Sequence, residues 1–595
     1  MNLFSNFNNY PFNSSQRVSL DSYIDFSRKE AIYPILESCL NRFSQLIHNN
    51  LLPNLSLNCG DGCMFLTHKQ LPNVLFKAIT LQEISNSCST RITLECFDEE
   101  LDFYDTDKGI NRFASIYALI AGRIPKKFEI NNIGKYQSRI LEIKNTSIRN
   151  PFLRFSNLPA NVFWFKIARL YLKRQMFRSG ETIFVAGENG LINEILAKSG
   201  SHFEYVETYD KLRRIYDSAP LNGSVHEEEI STYFHESFNN SLDAIGLDRL
   251  FYRAFSEIAL EIMNHKINKL ISSAPLLIQN VRKLKDKYKA SVVLSDGLYE
   301  TPGLAISNAF RKNGIQIISA EHGLTAGISK LRKNTINYCE PNTSDYILTY
   351  NEMASATFLS SSNKNLQCVE CGAPRETKRL KNYLLQRVIS RKRLKARSTA
   401  VFYVSTNLLA NNNGFFPHYP PDHIRDRVET SLLKDVFPRL NKKVIYKYYP
   451  SQNYLYDKNP YIKLAEEIPN LVVSKEEDFR YIRTAADIIL TSAPTSTLGW
   501  CIGAEKPIVY LDSPVFQPLE NDLVSKVFDE CFFVFNIDQQ DWKERLLQFL
   551  NKSIDEIQSR WQKKSIYREK YDQMYFLNKE KDAGAIGVNF IKSII

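Results

Sequence analysis

The stretch Ala486 to Asp512, ADIILTSAPTSTLGWCIGAEKPIVYLD, decides how the rest of the chain is read. Ile488 to Leu490 is short, continuous and β-branched, which predicts a strand buried on both faces of a parallel sheet. It runs into a hydroxyl-dense turn, Thr491-Ser492-Ala493-Pro494-Thr495-Ser496-Thr497. A short amphipathic segment from Leu498 to Gly503 follows, then a second apolar run from Pro507 to Leu511. Strand, polar turn, helix and strand make a βαβ unit. Its turn falls at the carboxyl end of the first strand, where open α/β sheets bind ligands. Backbone N–H groups at the helix start, with hydroxyls beside them, suit a phosphate. The same hydroxyls also fit an ordinary helix cap.

The alternation extends in both directions. Thr399 to Val404 predicts a strand ending in Ser405-Thr406-Asn407, and Val444 to Tyr446 one ending in Lys447-Tyr448-Tyr449-Pro450-Ser451. Asn411 to His423 reads as a long loop, Leu471 to Ser474 as a short strand and Phe479 to Ala485 as a helix. Polar strand ends at Ser405, Lys447 and Ser492 are therefore expected to face one crevice. In the first half, Ala290 to Leu294 predicts a strand ending in Ser295-Asp296-Gly297-Leu298-Tyr299-Glu300. A helix from Gly303 to Asn313 leads to the strand Ile315 to Ser319, which ends in Glu321-His322-Gly323. Two successive strands thus deliver carboxylates and a histidine to one sheet edge, and the glycine beside His322 permits close approach of backbone and ligand.

Further strands are expected at Tyr346 to Thr349 and Leu366 to Val369. Earlier, Thr182 to Ala186 reads as a strand, followed by the turn Gly187-Glu188-Asn189-Gly190 and a helix from Leu191 to Ala197. Cys63 to Thr67 and Arg91 to Phe97 read as strands, with helices at Leu75 to Ile84, Pro159 to Phe177 and over 225–290. The implied organisation is an extension over 1–55, a Rossmann-like α/β domain over 56–395 with a helical insertion at about 225–290, a second Rossmann-like domain over 396–560, and helices over 561–595 packing back on both.

Composition bounds the rest. The chain has 595 residues, too many for one core. Lysine and arginine number 76 against 65 aspartates and glutamates, a net +11 that favours nucleotide or polyanionic ligands, or contact with an anionic membrane face. No apolar run approaches a membrane span, and the start MNLFSNFNNY lacks a basic, apolar leader. A cytoplasmic protein with reduced thiols is expected. Cys368 and Cys371 have metal-ligand spacing, but the sequence offers no second such pair to complete a zinc site. The basic run over 378–397 fits either a solvated helix or a surface that meets anionic lipid.

Four segments carry a resemblance to the two-Rossmann-domain (GT-B) glycosyltransferases of bacterial capsule and lipopolysaccharide synthesis, a group that includes Kdo transferases, polysialyltransferases and CDP-glycerol glycerophosphotransferases. Ile317-Ile318-Ser319-Ala320-Glu321-His322-Gly323 resembles that group's strand-then-QHG element. Val369-Glu370-Cys371-Gly372-Ala373-Pro374-Arg375 resembles its GxPR strand end. Tyr446 to Ser451 resembles its K-x-HP segment, and Ser496-Thr497-Leu498-Gly499-Trp500 with Glu505-Lys506-Pro507 resembles its STLGYE…GKPV signature. Tyr449 stands where the group has histidine, and Cys501 where it has a glutamate.

The resemblance implies an α/β, GT-B fold with two Rossmann-like domains facing a central cleft. It implies a metal-independent, inverting transfer of sugar from a CMP-, CDP- or UDP-linked donor to a surface polysaccharide or glycolipid precursor. His322, Asp296 and Glu300 would stand where the base belongs. Ser405, Thr406, Lys447, Tyr449, Ser492, Thr495, Ser496 and Thr497 would bind the donor. No cofactor beyond the nucleotide-sugar co-substrate is implied. The other partner implied is a glycan or lipid-linked glycan acceptor, with no nucleic acid; the basic run 378–397, if it is a lipid-facing surface rather than a solvated helix, would add peripheral contact with the cytoplasmic face of an anionic inner membrane. Competing readings are a CDP-alcohol phosphotransferase on the same fold, a non-catalytic scaffold of a glycan assembly complex, and an epimerase of UDP-sugars. The motif Asp105-Thr106-Asp107 has the spacing some glycosyltransferases use for a metal-bound nucleotide, but among so many acidic neighbours it reads as a solvated turn.

Overall fold

A computed structural model describes residues 2–4, 26–53, 70–88, 91–98, 114–135, 180–199, 202–221, 226–298, 300–335, 340–360, 366–378, 383–394, 399–405, 422–448, 460–474, 479–492 and 494–595. Three parallel sheets organise them. A small one has the order β1 (Asn2–Phe4), β2 (Ile92–Asp98), β3 (Phe128–Lys135). The next holds β4 (Glu181–Ala186), β5 (Phe203–Glu207), β6 (Val292–Ser295), β7 (Gln316–Ala320), β8 (Tyr346–Thr349) and β9 (Gln367–Glu370), in the order β5-β4-β6-β7-β8-β9. The last holds β10 (Ala400–Val404), β11 (Lys443–Lys447), β12 (Leu471–Val473), β13 (Ile488–Thr491), β14 (Ile508–Asp512) and β15 (Phe533–Asn536), in the order β12-β11-β10-β13-β14-β15.

The apolar runs are continuous because both faces of each six-stranded sheet are covered. Along β4, Ile183 and Val185 join one core with Ile195, Val588 and Ile591, whereas Phe184 and Ala186 join the other with Phe255 and Phe310. Successive side chains point to opposite faces, so both sets must be apolar when helices lie on both sides. The helices Gly190–Lys198 and Ala583–Ile594 cover one face of the first sheet, and Arg249–Tyr288 and Glu300–Lys312 the other. The two domains are doubly wound α/β units in the GT-B arrangement.

Sequence expectation and structure agree on most of these strands. The sequence does not predict β1, β3, β5 or β15; β15, FVFN, is a four-residue strand between helices with no turn signal of its own. The expected strand Cys63 to Thr67, the expected helix Pro159 to Phe177, Asp105-Thr106-Asp107 and the loop residues 411–421 lie outside the described residues. Residues 1–55 are more than an extension. β1 pairs with β2, and Leu36, Leu40 and Phe43 of the helix Phe26–Leu51 are buried in one core with Phe234 and Phe255.

Among the described residues, three groups of backbone contacts hold the domains together. After β7, the chain reaches across to the second domain, where Ser329 bridges Leu519 and the Glu520 N–H donates to the Ile328 carbonyl at 2.8 Å. At the hinge, Arg483 is fully buried and donates to the Glu376 carbonyl at 2.8 Å. There the backbones also meet closely: a Cβ on Gly503 would lie 1.8 Å from the Thr377 carbonyl oxygen. Finally the chain crosses back, with the Ala373 N–H donating to the Leu577 carbonyl at 2.9 Å. Lys198 and Arg375 both pair with Asp582, and the Arg375 N–H donates to the buried carboxylate of Glu194. Arg375, in the segment that resembles GxPR, therefore fastens the C-terminal helix to the first domain.

Replacing Gly503 with alanine should lower unfolding free energy by about 1–3 kcal/mol, because the methyl group overpacks rigid backbone. Urea denaturation of the two proteins checks this, and an unchanged midpoint would mean that the hinge does not pack as described.

Candidate active site at the domain interface

Each six-stranded sheet has one place where the strand order reverses. In the first, the chain moves outward from β4 to β5, then returns to lay β6 on the other side of β4. In the second, β10, β11 and β12 run outward and β13 returns beside β10. Crevices at such reversals are where open α/β sheets hold ligands. The strands at the first reversal end in Gly187-Glu188-Asn189 and in Asp296-Gly297; those at the second end in Ser405 and in Ser492.

At the first reversal, the Asp296 carboxylate accepts the Glu188 N–H at 3.2 Å. Gly187 has φ of 129°, and a Cβ there would meet Asp296 Oδ1 at 1.8 Å, so both conformation and space demand glycine. Burial raises the pKa of Asp296; the Glu188 N–H and the nearby His322 charge oppose that rise. Asn189 ties this turn to the next strand end. Its Oδ1 caps the following helix at Ile192 N, 2.9 Å, and its Nδ2 donates to the Ala320 carbonyl at 3.0 Å.

β7 ends in the pair that matters most. Glu321 is buried, and its Oε2 accepts the Tyr350 N–H at 2.7 Å while Oε1 has no hydrogen-bond partner among the described residues. Burial pushes its pKa up to about 8, against the Tyr350 N–H and the Arg332 charge. His322 is exposed. Gly323 then meets the second domain: a Cβ there would come within 2.4 Å of Ser496 Cβ. His322 thus stands beside the turn that the sequence singled out. Glu300 opens the helix Glu300–Lys312.

In the second domain, Ser492, Thr495, Ser496 and Thr497 are half-buried at the end of β13 and the start of the helix Ser496–Ile502. Ser405 and Lys447 behave differently from expectation. Ser405 is buried, and its hydroxyl donates to Glu429. Lys447 is buried too; its ammonium donates to the Tyr448 carbonyl at 3.1 Å and lies 4.9 Å from the Tyr448 ring centroid. Thr406 and Tyr449 lie outside the described residues. Cys501 is fully buried, so a thiol in the core replaces the glutamate of the group that the sequence resembles.

Glu429 is the group that sequence reasoning missed. It is buried and accepts hydroxyls from Tyr403, Ser405 and Tyr446, with Ser492 reaching the same Tyr403 hydroxyl. Burial raises its pKa and the three donors hold it back. The network sets the side chains beneath the second reversal. The available signal was a carboxylate one residue beyond Val428 on the apolar side of a helix, which no motif marks.

Among the described residues, no three His, Cys, Asp or Glu side chains are placed to hold a metal ion. The thiols of Cys368 and Cys371 are each pushed up to about 12 by burial. No described helix is long and apolar enough to cross a membrane.

No family model matches the sequence, and no curated protein matches it. Among solved structures, the chain is similar to a UDP-GlcNAc 2-epimerase from Neisseria meningitidis bound to UDP-GlcNAc, at 12% identity and a TM-score of 0.34, over 70% of this chain and 99% of that one. It is similar to Anabaena HepE in complex with UDP and glucose, at 10% identity and a TM-score of 0.35, over 70% and 99%. It is also similar to the wall teichoic acid polymerase TagF, at 13% identity and a TM-score of 0.33, over 77% and 99%. The class of the fold follows from the strand orders themselves.

Glu321 sets a pH dependence of stability. Its ordinary pKa is 4.5 and its folded value about 8, so between these the folded chain holds a proton that the unfolded chain has lost. The contribution of Glu321 to stability is greatest below the lower value, falls as pH rises through the window and levels off above about pH 8. Urea midpoints across that range should show a smaller fall in Glu321→Gln than in the parent chain. Parallel pH profiles for the two proteins would rule this out.

Proposed function

We propose that the chain is a cytoplasmic, inverting glycosyltransferase that moves a sugar from a CMP-, CDP- or UDP-linked donor to a surface polysaccharide or glycolipid precursor. The observation that carries this reading is the meeting of the two crevices: the strand end bearing His322 lies against Ser496 of the opposite domain. A base and a phosphate-binding turn are then within reach of one bound sugar.

In this mechanism the acceptor hydroxyl attacks the anomeric carbon while the bond from that carbon to the donor phosphate breaks. His322 takes the hydroxyl proton and the nucleotide leaves with the bond's electron pair. Asp296 stabilises the imidazolium that forms, through the same charge interaction that favours its own ionised state. A single displacement inverts the anomeric centre. The hydroxyls of Ser492, Thr495, Ser496 and Thr497, with backbone N–H groups beside them, meet the developing phosphate charge, and no metal takes part. Lys447, at the neighbouring strand end, adds positive potential. The hydroxyls of the Glu429 network lie deeper, beneath the nucleoside. Closure of the cleft limits hydrolysis of the donor by water.

Thermal shift against CMP, CDP, UDP and GDP identifies the nucleotide. Replacing both Ser496 and Thr497 with alanine should then weaken its binding by about 1–3 kcal/mol, from lost hydrogen bonds to a charged group. A folded double variant that binds as before removes the turn from the donor site.

The base is tested by turnover with a verified donor and acceptor. His322→Ala should lose about 100-fold or more while nucleotide affinity barely moves. Asp296→Asn should lose less, and in the parent chain the rate should climb with pH above the ordinary carboxylate range, as the raised pKa of Asp296 dictates. Should Asp296→Asn prove the more damaging change, Asp296 is the base; should neither matter, the first reversal is not the reacting centre.

A further inference from the structure

The helix Tyr383–Arg393 joins the two domains, and one side of it is fastened inward. Arg387 and Arg391 both pair with Asp487, and Arg387 also donates to the Thr484 carbonyl at 3.3 Å and the Ala486 carbonyl at 3.1 Å. Two arginines of the basic run are thus spent on the second domain. Another side carries a different message. Leu384 is 76% exposed and Val388 65% exposed, and only Ile566, at 66%, rivals them among the described large hydrophobic residues. Leu384, Val388 and the exposed Lys392 succeed one another four residues apart, which places them on one stripe.

A single exposed leucine is ordinary on a protein surface. An apolar stripe inside a basic run is less so. Between Lys378 and Arg397 the sequence has nine lysines and arginines and no aspartate or glutamate. Of the four whose side chains are described, three have partners inside the molecule: Lys378 donates to the Lys581 carbonyl at 2.7 Å, and Arg387 and Arg391 hold Asp487. The remaining positive charge is unbalanced by any neighbour in the run. A second copy of the same face would bring like charge against like. An anionic bilayer matches both properties, taking apolar side chains at the acyl boundary and ammonium and guanidinium groups among its phosphates.

We propose that the Leu384–Val388–Lys392 face of the interdomain helix docks in the plane of an anionic lipid bilayer. The helix has 11 residues, far short of a span, so it lies along the interface. This surface is separate from the crevice residues, and the proposal stands whether or not the chain transfers sugar.

The test is co-sedimentation of the full chain with vesicles of phosphatidylcholine alone and of phosphatidylcholine mixed with phosphatidylglycerol. Leu384→Ser combined with Val388→Ser, and separately Lys392→Glu, are compared with the parent. All three proteins should share one melting temperature, because these side chains are exposed. The parent should bind only the anionic vesicles, and added salt should release it. The double serine variant should bind about tenfold less at equal lipid, the effect of losing two modest apolar insertions. Lys392→Glu should also bind less. Equal binding by parent and double variant, equal binding to both vesicle types, or no binding at low salt overturns the proposal. A parent that scatters light as a dimer and becomes monomeric in the double variant overturns it as well, by assigning the stripe to a second copy.

Discussion

The arrangement depends on how closely two stretches of backbone approach one another at the domain boundary. Gly503 lies against the Thr377 carbonyl and Gly323 against Ser496, and neither contact leaves room for a side chain. Interiors are packed to crystal-like density, so a gap or a clash of one methyl group there is felt across the contact. Because the hinge contact is backbone on backbone, it fixes the distance between the two sheets. That distance decides whether the polar ends of β7 and β13 share one space. The crevice is therefore a consequence of packing at glycines, and its chemistry is added by the residues on either side.

Buried carboxylates supply that chemistry at a cost to stability. Glu321, at the end of β7, and Glu429, in the helix Asp422–Ser431, are both buried, and each raises the free energy of the fold through desolvation that its hydrogen bonds offset only in part. They differ in how far this goes. Among the described residues, Glu429 has three hydroxyl donors, whereas Glu321 has one N–H and a second oxygen without a partner. A protonated Glu321 resolves its difficulty by carrying no charge. Its neighbour His322 is thereby held by an uncharged support, which leaves Asp296 as the nearby carboxylate whose charge acts on the imidazole.

Much of the fold was legible because a strand covered on both faces writes itself as an unbroken apolar run. Ile488 to Leu490, Ile315 to Ser319 and Tyr346 to Thr349 could be read directly, together with the polar residues that end them. The order of strands in each sheet could not be read, since adjacency depends on crossovers that leave no local mark. Hence the reversals that single out Ser405, Ser492 and Asp296 emerge only from topology. Individual roles were less legible still. Lys447 looked like a direct ligand at the crevice, yet its ammonium bonds the Tyr448 carbonyl and lies over the Tyr448 ring, so what it offers the crevice is its charge. Arg375 looked like a motif residue, yet it bonds Asp582 more than 200 positions along the chain. Long-range partners of this kind carry no periodicity, and a sequence read alone has no way to pair them.

The three attachments between domains are unequal, which bears on how the cleft could open. The hinge buries Arg483 completely, and the crossing back at Ala373 and Leu577 is continuous with the core formed by the C-terminal helix. Breaking either would expose buried charge or apolar surface. The third attachment is lighter. It comprises one isolated bridge between Ser329 and Leu519, the Glu520 N–H on Ile328, and an ion pair from Lys333, itself half exposed, to Glu520. Lys333 keeps about half of its side chain in water although Glu520 is buried, so this attachment lacks the full burial that Arg483 has at the hinge. A cleft that opens would therefore part here first, while hinge and crossing hold. The segment that would move away from the second domain begins at His322, so the position of this histidine relative to Ser496 is tied to closure of the whole molecule.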